Sequence, residues 1–292
     1  MDRDPPTVFI SIIVPIYNDW HLIPCLLTSL KNQSIDSDAF EVLLIDNGSD
    51  HIPDLPTLPS NTQVLTCKTP GSYAARNYGL QYAEGSLLAF TDADCRPTES
   101  WLKNALVAHK KNETALLAGA IKMVPVSWEN MTATEEYEVA LGIPQARYVT
   151  KGYAATANLF VPATLFKKYG HFDATRFSGG DSEFCRRLTN DGVELQYCAD
   201  ALILHPARSS WRNLVKKKRR VKGGQITSGS KIQRLTWIIR TLLPPVFVWQ
   251  RIIFNSSLKY SQKLSICWTE TRLWGIDNIE LFGLLLGKQP VR

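Results

Sequence analysis

The stretch LLAFTDADCRP, residues 87–97, runs from an apolar strand-like segment into two aspartates one residue apart, Asp92 and Asp94. Two carboxylates at a chain turn can share a hard divalent cation, Mg²⁺ or Mn²⁺, and leave coordination positions open for phosphate oxygens. A cation held there neutralises charge that develops on a departing diphosphate. Aspartates spaced this way also cap backbone N–H groups where a strand ends in a turn. The motif therefore takes its meaning from its surroundings.

Those surroundings have the pattern of a parallel sheet. VFISIIVPIY (8–17) and FEVLLID (40–46) are nearly continuous apolar runs, as strands covered on both faces require. TQVLTC (62–67) and SLLAFTD (86–92) add two more strands. Between them NDWHLIPCLLTSLKNQ carries Leu22, Ile23, Leu26, Leu27 and Leu30 at helical spacing, and SYAARNYGLQYAEG (72–85) is expected to be helical up to Gly85. This alternation predicts βαβ units with right-handed crossovers, and open sheets of that kind collect ligands at the carboxyl ends of their strands. Asn18 follows the first strand, Asp46 to Asp50 the second and Asp92 to Asp94 the fourth, so three polar tips converge on one edge in a site suited to a nucleotide. Beyond residue 115, ALLAGAIKMVPV and NLFVPATLF read as strands, 128–141 and 179–192 as helices, and ELQYCADALILH as one or two strands.

Composition narrows the class. With 292 residues, 45% of them apolar and 21% charged, the chain is long enough for a large core. Its six cysteines are scattered, with no CxxC pair or His-Cys cluster, so neither zinc nor a disulfide framework is expected. The opening MDRDPPTVF lacks the basic-then-apolar order of a secretory signal, and a cytoplasmic protein is expected. Charge is strongly divided: residues 1–200 have a net charge of −8 and residues 201–292 one of +14. In SSWRNLVKKKRRVKGG, Trp211, Leu214, Val215, Lys218 and Val221 share one helical arc, while Arg212, Lys216, Lys217, Arg219 and Arg220 lie mostly outside it. WIIRTLLPPVFVWQRIIF (237–254) is apolar but interrupted by Arg240, Arg251 and Pro244-Pro245, which suits a segment lying in a membrane interface better than one crossing it.

Taken together, SIIVPIYN, VLLIDNGSD, PGSYAARNYGLQYAEGSLLAFTDAD, GHFDATRFSGGDSEFCRRLTNDG and LILH resemble the family 2 glycosyltransferases, inverting enzymes of the GT-A fold, across residues 10–206. The resemblance implies an α/β fold, a Rossmann-like and mostly parallel sheet flanked by helices, with an α-helical C-terminal extension. It implies a glycosyltransferase domain over 1–206, with a nucleotide-binding half at 8–115 and an acceptor half at 116–206, followed by a basic tail at 207–292. Pro15, Tyr17 and Asn18 would border the nucleoside, Asp46 would accept a hydrogen bond from the base, and Arg76 would lie beside the base or diphosphate. Asp92 would reach the ribose or a metal-bound water, Asp94 would ligate Mn²⁺ or Mg²⁺, and His205 would complete the metal shell. A strand-end histidine bonded to backbone is the other reading of His205.

For the acceptor, the resemblance implies one general base from an acidic pair before a helix. Here the pair reads Gly180-Asp181, so Asp181 carries the role, with Glu183 as fallback and helix capping as the other reading. No Gln-x-x-Arg-Trp motif follows His205, which implies addition of one sugar per encounter; Arg219 or Arg220 could touch the diphosphate. The expected partners are a nucleotide-sugar donor with UDP as default, a lipid-linked or surface-glycan acceptor, and the anionic cytosolic face of a membrane, bound peripherally. A sugar-phosphate nucleotidyltransferase would need a Gly-rich phosphate loop near the first strand, and VPIYNDWH has no glycine. A module binding only membrane or nucleic acid is the non-enzymatic alternative; no nucleic-acid recognition motif is present.

Overall fold

The computed structural model describes residues 9–53, 57–176 and 178–291. The opening segment behind the targeting expectation lies mostly outside them. The described residues group into two compact units. One takes 9–122, 143–175 and 180–205; the other takes 123–142, 206–291 and the described part of 176–179.

The first unit is built on β1 (Ile10–Ile16), β2 (Phe40–Asp46), β3 (Thr62–Thr66), β4 (Leu87–Thr91), β5 (Arg96–Pro97), β6 (Leu116–Val124), β7 (Asn158–Pro162) and β8 (Leu195–Pro206). They form one sheet in the order β3-β2-β1-β4-β7-β6-β8-β5. The first four pair in parallel, with Ile16 opposite Asp46 and Asp46 opposite Thr66. β7 then enters antiparallel, with Thr91 opposite Asn158. NLFVPATLF, read from sequence as one strand, divides into β7 and helix α6 (Ala163–Tyr169), because Pro162 has no N–H for the ladder and sits comfortably just before a helix start.

Helices α1 (Ile23–Lys31), α2 (Ser72–Gly79), α3 (Trp101–Lys111), α5 (Gln145–Val149) and α7 (Gly180–Asn190) complete the unit. Alternate residues of each strand feed two cores. Ile10, Ile12, Val14 and Ile16 pack with residues of α1 and α3, whereas Ile13, Leu43, Ile45 and Phe90 pack with residues of α2, α6 and α7. Burial on both faces is why the strand sequences are apolar throughout. α2 ends at Gly79, six residues short of Gly85. A Cβ at Gly79 would lie 2.8 Å from Ile13 Cγ2, so this glycine marks a close approach of helix to sheet.

Asn158 joins four elements. Its Oδ1 accepts from the Trp101 indole at 2.9 Å, and its Nδ2 donates to the Ala120 and Ala201 carbonyls at 2.8 and 2.9 Å. Gly119 leaves the space this amide fills, since a Cβ there would come within 2.3 Å of it.

The second unit contains α4 (Ala133–Leu141), α8 (Trp211–Thr227), α9 (Lys231–Leu242), α10 (Val246–Ile253) and α11 (Tyr260–Leu285). Tyr137, Leu214, Ile252, Ile266 and Leu273 form its core. Residues 123–142 therefore group with the C-terminal helices. α8 leaves Arg212 and Lys216 exposed, as its sequence suggests, but turns other cations of its basic run toward acidic groups. Lys217 and Arg208 bind Glu138 at 2.8 and 3.1 Å, Lys218 and Lys222 face Asp277 at 3.8 and 3.6 Å, and Arg219 faces Glu280 at 3.5 Å. The acidic partners are too few and too far along the chain for a helical projection of α8 alone to find them. Burial alone would raise the Glu138 carboxyl, but Lys217 and Arg208 bring it below the usual range. Among the described residues no helix is long and apolar enough to cross a membrane.

Asn158→Ala is expected to destabilise the protein by about 3–5 kcal/mol in urea unfolding, because it strands a buried indole N–H and two buried carbonyls at once. A loss below about 1 kcal/mol would show that these groups find other partners.

Candidate active site

The carboxyl ends of β1, β2 and β4 come together with the last residues of β8 around a set of acidic side chains. Asp46 closes β2 and is buried. Its Oδ1 accepts from the Trp20 indole at 2.9 Å, and its Oδ2 from the backbone N–H groups of Gly48 and Ser49 at 3.1 and 3.3 Å. Asp46 thus shapes the NGS turn, and only Oδ1, with a single donor, keeps a lone pair for a further one. Trp20, from the single turn Trp20–Leu22, is a site residue that sequence reading missed. Asn18, at the end of β1, adopts a left-handed conformation (φ 59°) that asparagine tolerates. Its amide exchanges hydrogen bonds with Asp50, and its backbone N–H donates to Ser49 Oγ at 2.9 Å. Pro15 stands opposite Ile45 in the ladder, and Tyr17, 48% exposed, forms the open rim.

Arg76, expected beside the base or diphosphate, has a partner within the chain. It is buried in α2, and its Nη2 donates to Asp92 Oδ1 at 2.6 Å. One guanidinium edge therefore fixes the first aspartate of the pair, whose side chain keeps about a third of its surface open. The turn after β4 is closed by the Cys95 N–H donating to the Asp92 carbonyl at 3.1 Å.

Asp94 faces His205, with Oδ1 and Nε2 3.7 Å apart. The histidine is buried and the carboxylate partly open. A carboxylate oxygen and an imidazole nitrogen are ligand types that would hold a Mn²⁺ or Mg²⁺ ion here. Cys95 Sγ lies close enough to join the same cluster. Burial, then the neighbouring Asp94 and Asp92, pushes its thiol well up from the usual range.

Asp181 lies in the first turn of α7. Its Oδ1 accepts from Tyr73 Oη at 3.1 Å and from the Ser182 N–H at 2.8 Å, while Oδ2 has one long contact, 3.4 Å, with the Thr156 N–H. The bond to Ser182 is to the adjacent residue and not to one farther into the helix, so Asp181 is not a conventional cap. Glu183, the fallback base, turns toward Arg187 at 2.9 Å. Tyr148 and Tyr153, stacked at 4.6 Å, lie within electrostatic reach of Asp181. Burial, then Tyr153 and Asp181, pushes the Tyr148 phenol up to about 12, so it remains a hydrogen-bond donor. Tyr73, Tyr148 and Tyr153 carry no motif signal, because their relation to Asp181 exists only after folding.

The sequence model described as glycosyl transferase family 2 matches residues 11–178. The glycosyltransferase AglE of Haloferax volcanii is 32% identical over 225 residues, covering 75% of this chain and 73% of that protein. A Methanococcus voltae enzyme named dolichyl N-acetyl-alpha-D-glucosaminyl phosphate 3-beta-D-2,3-diacetamido-2,3-dideoxy-beta-D-glucuronosyltransferase is 26% identical over 227 residues, with 72% and 70% covered. Among solved structures, residues 1–349 of S. aureus TarS in complex with UDP-GlcNAc superpose with a TM-score of 0.51 at 17% identity, covering 96% of this chain and 92% of that one. That likeness is one of fold.

Asp92→Asn should cost about 2–3 kcal/mol of stability, since it leaves the buried Arg76 guanidinium without its counter-charge. Arg76→Met combined with Asp92→Asn should recover part of that loss in a double-mutant cycle; simple additivity of the two changes would show that the pair is not coupled.

Proposed function

Because the chain belongs to glycosyl transferase family 2 and is a glycosyltransferase, we propose that it moves a single sugar, with inversion, from a nucleoside diphosphate sugar to an acceptor hydroxyl. UDP is the default nucleotide, and the acceptor is a lipid-linked or surface glycan. The observation that carries this reading is the pairing of Asp94 with His205 beside the Arg76-anchored Asp92, all at the carboxyl edge of the sheet.

In this reading Asp94 and His205 hold Mn²⁺ or Mg²⁺, which when bound offsets charge on the leaving diphosphate. Asp92, held by Arg76, would contact the ribose or support the ion's shell, and Tyr17 would flank the base. Asp181 accepts the acceptor's hydroxyl proton on Oδ2, the oxygen with the fewest contacts. The deprotonated oxygen bonds to the anomeric carbon from the face opposite the diphosphate, and the carbon–diphosphate bond breaks with its electron pair leaving on the phosphate oxygen. A dolichyl-linked substrate in the name of the Methanococcus voltae relative favours a lipid-linked acceptor.

The second unit supports work at a membrane surface on the cytosolic side. On α9, α10 and the Pro244-Pro245 link between them, Ile232, Leu243, Phe247 and Phe254 stand in solvent, with Phe247 88% exposed. Lys231, Arg234, Arg240 and Arg251 are exposed among them. The three acidic residues beyond 206 are all turned toward cations of their own unit: Glu270 faces Lys218, Asp277 faces Lys218 and Lys222, and Glu280 faces Arg219 and Lys288. The outward charge of the C-terminal helices α8–α11 is therefore cationic, which complements an anionic lipid surface by about 1 kcal/mol per nearby cation.

A donor-hydrolysis screen across nucleotide sugars with Mn²⁺ identifies the donor. With that donor, Asp94→Asn should lose both calorimetric Mn²⁺ binding and transfer; retention of both rejects the metal assignment. Asp181→Asn should keep donor binding while transfer falls by about 10²–10⁴-fold, and unchanged turnover rejects it as the base. Phe247→Glu with Phe254→Glu should abolish sedimentation with phosphatidylserine vesicles without altering the fold by circular dichroism, and undiminished sedimentation removes the membrane reading.

A further inference from the structure

Gly180 occupies the place where the family's acidic pair has its first member, and the structure gives a reason for the vacancy. A Cβ on Gly180 would lie 2.7–2.9 Å from Cε2, Cδ2 and Cζ of Tyr73, closer than side-chain carbons approach. The Tyr73 ring is itself buried, set against Phe172 at 5.8 Å, with the Arg76 guanidinium 5.6 Å from its centroid. Its hydroxyl reaches Asp181 Oδ1 at 3.1 Å.

We propose that Tyr73 is a positioning residue for Asp181: the ring packs over the bare Cα of Gly180 and the hydroxyl holds Oδ1, leaving Oδ2 toward the acceptor. This rests on Asp181 acting as the base. Among the described residues Tyr73 Oη is the one side-chain donor to this carboxylate; its other donors are backbone groups, the adjacent Ser182 N–H at 2.8 Å on Oδ1 and the Thr156 N–H at 3.4 Å on Oδ2. A hydroxyl bonded to a carboxylate is a charge-assisted bond with a defined direction, and misplacing a reacting group by about 1 Å costs on the order of 10²-fold in rate. Tyr73 also stands one helical turn from Arg76, which fixes Asp92. One short helix, α2, therefore orients the first aspartate of the donor pair and the base for the acceptor.

The test compares Tyr73→Phe, Gly180→Ala and Asp181→Asn in steady-state transfer with the donor found by the screen, alongside binding of UDP with Mn²⁺ by calorimetry. Tyr73→Phe keeps the ring and should lower kcat at least about 10-fold, with donor KM and UDP affinity within about twofold of wild type. Gly180→Ala keeps the hydroxyl but displaces the ring, and should reproduce that kcat loss. If Gly180→Ala does not fold, Tyr73→Phe decides alone. An inactive Asp181→Asn beside a Tyr73→Phe enzyme of wild-type kcat overturns the role of Tyr73 and leaves Asp181 as the base. A fully active Asp181→Asn overturns both. A Tyr73→Phe enzyme whose donor KM rises as kcat falls, together with a lowered Tm, overturns the proposal in favour of packing.

Discussion

Like charges gathered at one edge of a sheet repel, and the first unit is organised around making that edge tolerable. The 2.6 Å bond between Arg76 and Asp92 is the centre of the solution. It places a buried cation behind the first aspartate, so that the second can face His205 without two carboxylates competing for the same space. Asp46 is handled differently, by an indole and two backbone donors, and Asp181 differently again, by a phenol and a backbone N–H. Asp92, Asp46 and Asp181 each have a different side-chain donor, Arg76, Trp20 and Tyr73. Each can therefore keep its own orientation while the others are engaged.

Much of this was legible in the sequence, for definable reasons. β2 runs over the seven residues FEVLLID, because a strand buried on both faces leaves an unbroken apolar signature bounded by a turn. The edge on which Asn18, Asp46 and Asp92 meet followed from parallel pairing, which sends consecutive strand ends the same way. The antiparallel entry of β7 was not legible, since strand direction within a sheet has no local sequence mark. Arg76 was recognised as important, but its bond to Asp92 was not foreseen, as a cation's partner depends on a helix-to-strand distance that spacing along the chain does not encode. Trp20 and Tyr73 escaped notice because buried aromatic residues look like core until their polar tips are seen to be engaged.

The C-terminal helices show the same limit from the opposite side. A run such as KKKRR reads as a solvated face, yet Lys217 and Lys222 are pulled down by burial even with acidic groups beside them. Acidic residues scattered through α4 and α11 neutralise α8 from within. What remains outward is Arg212 and Lys216 of α8 together with cations of α9 and α10, the latter among apolar side chains. The net charge of the segment was thus a correct observation, but the helix with the densest run displays only part of it.

Asn158 gives the site a particular relation to time. It stands opposite Thr91, the last residue of β4 before the aspartate pair, and its amide is bonded to an indole and to two carbonyls of neighbouring strands. Moving β7 away from α3, β6 or β8 would break these bonds at a side chain with no exposed surface, so backbone amides there should exchange with solvent only through openings close to global unfolding. The mouth of the site is in this sense as slow as the fold itself. Any rapid motion that admits a substrate belongs to the loops above the strands and leaves the floor that carries Asp92 and Asp94 undisturbed.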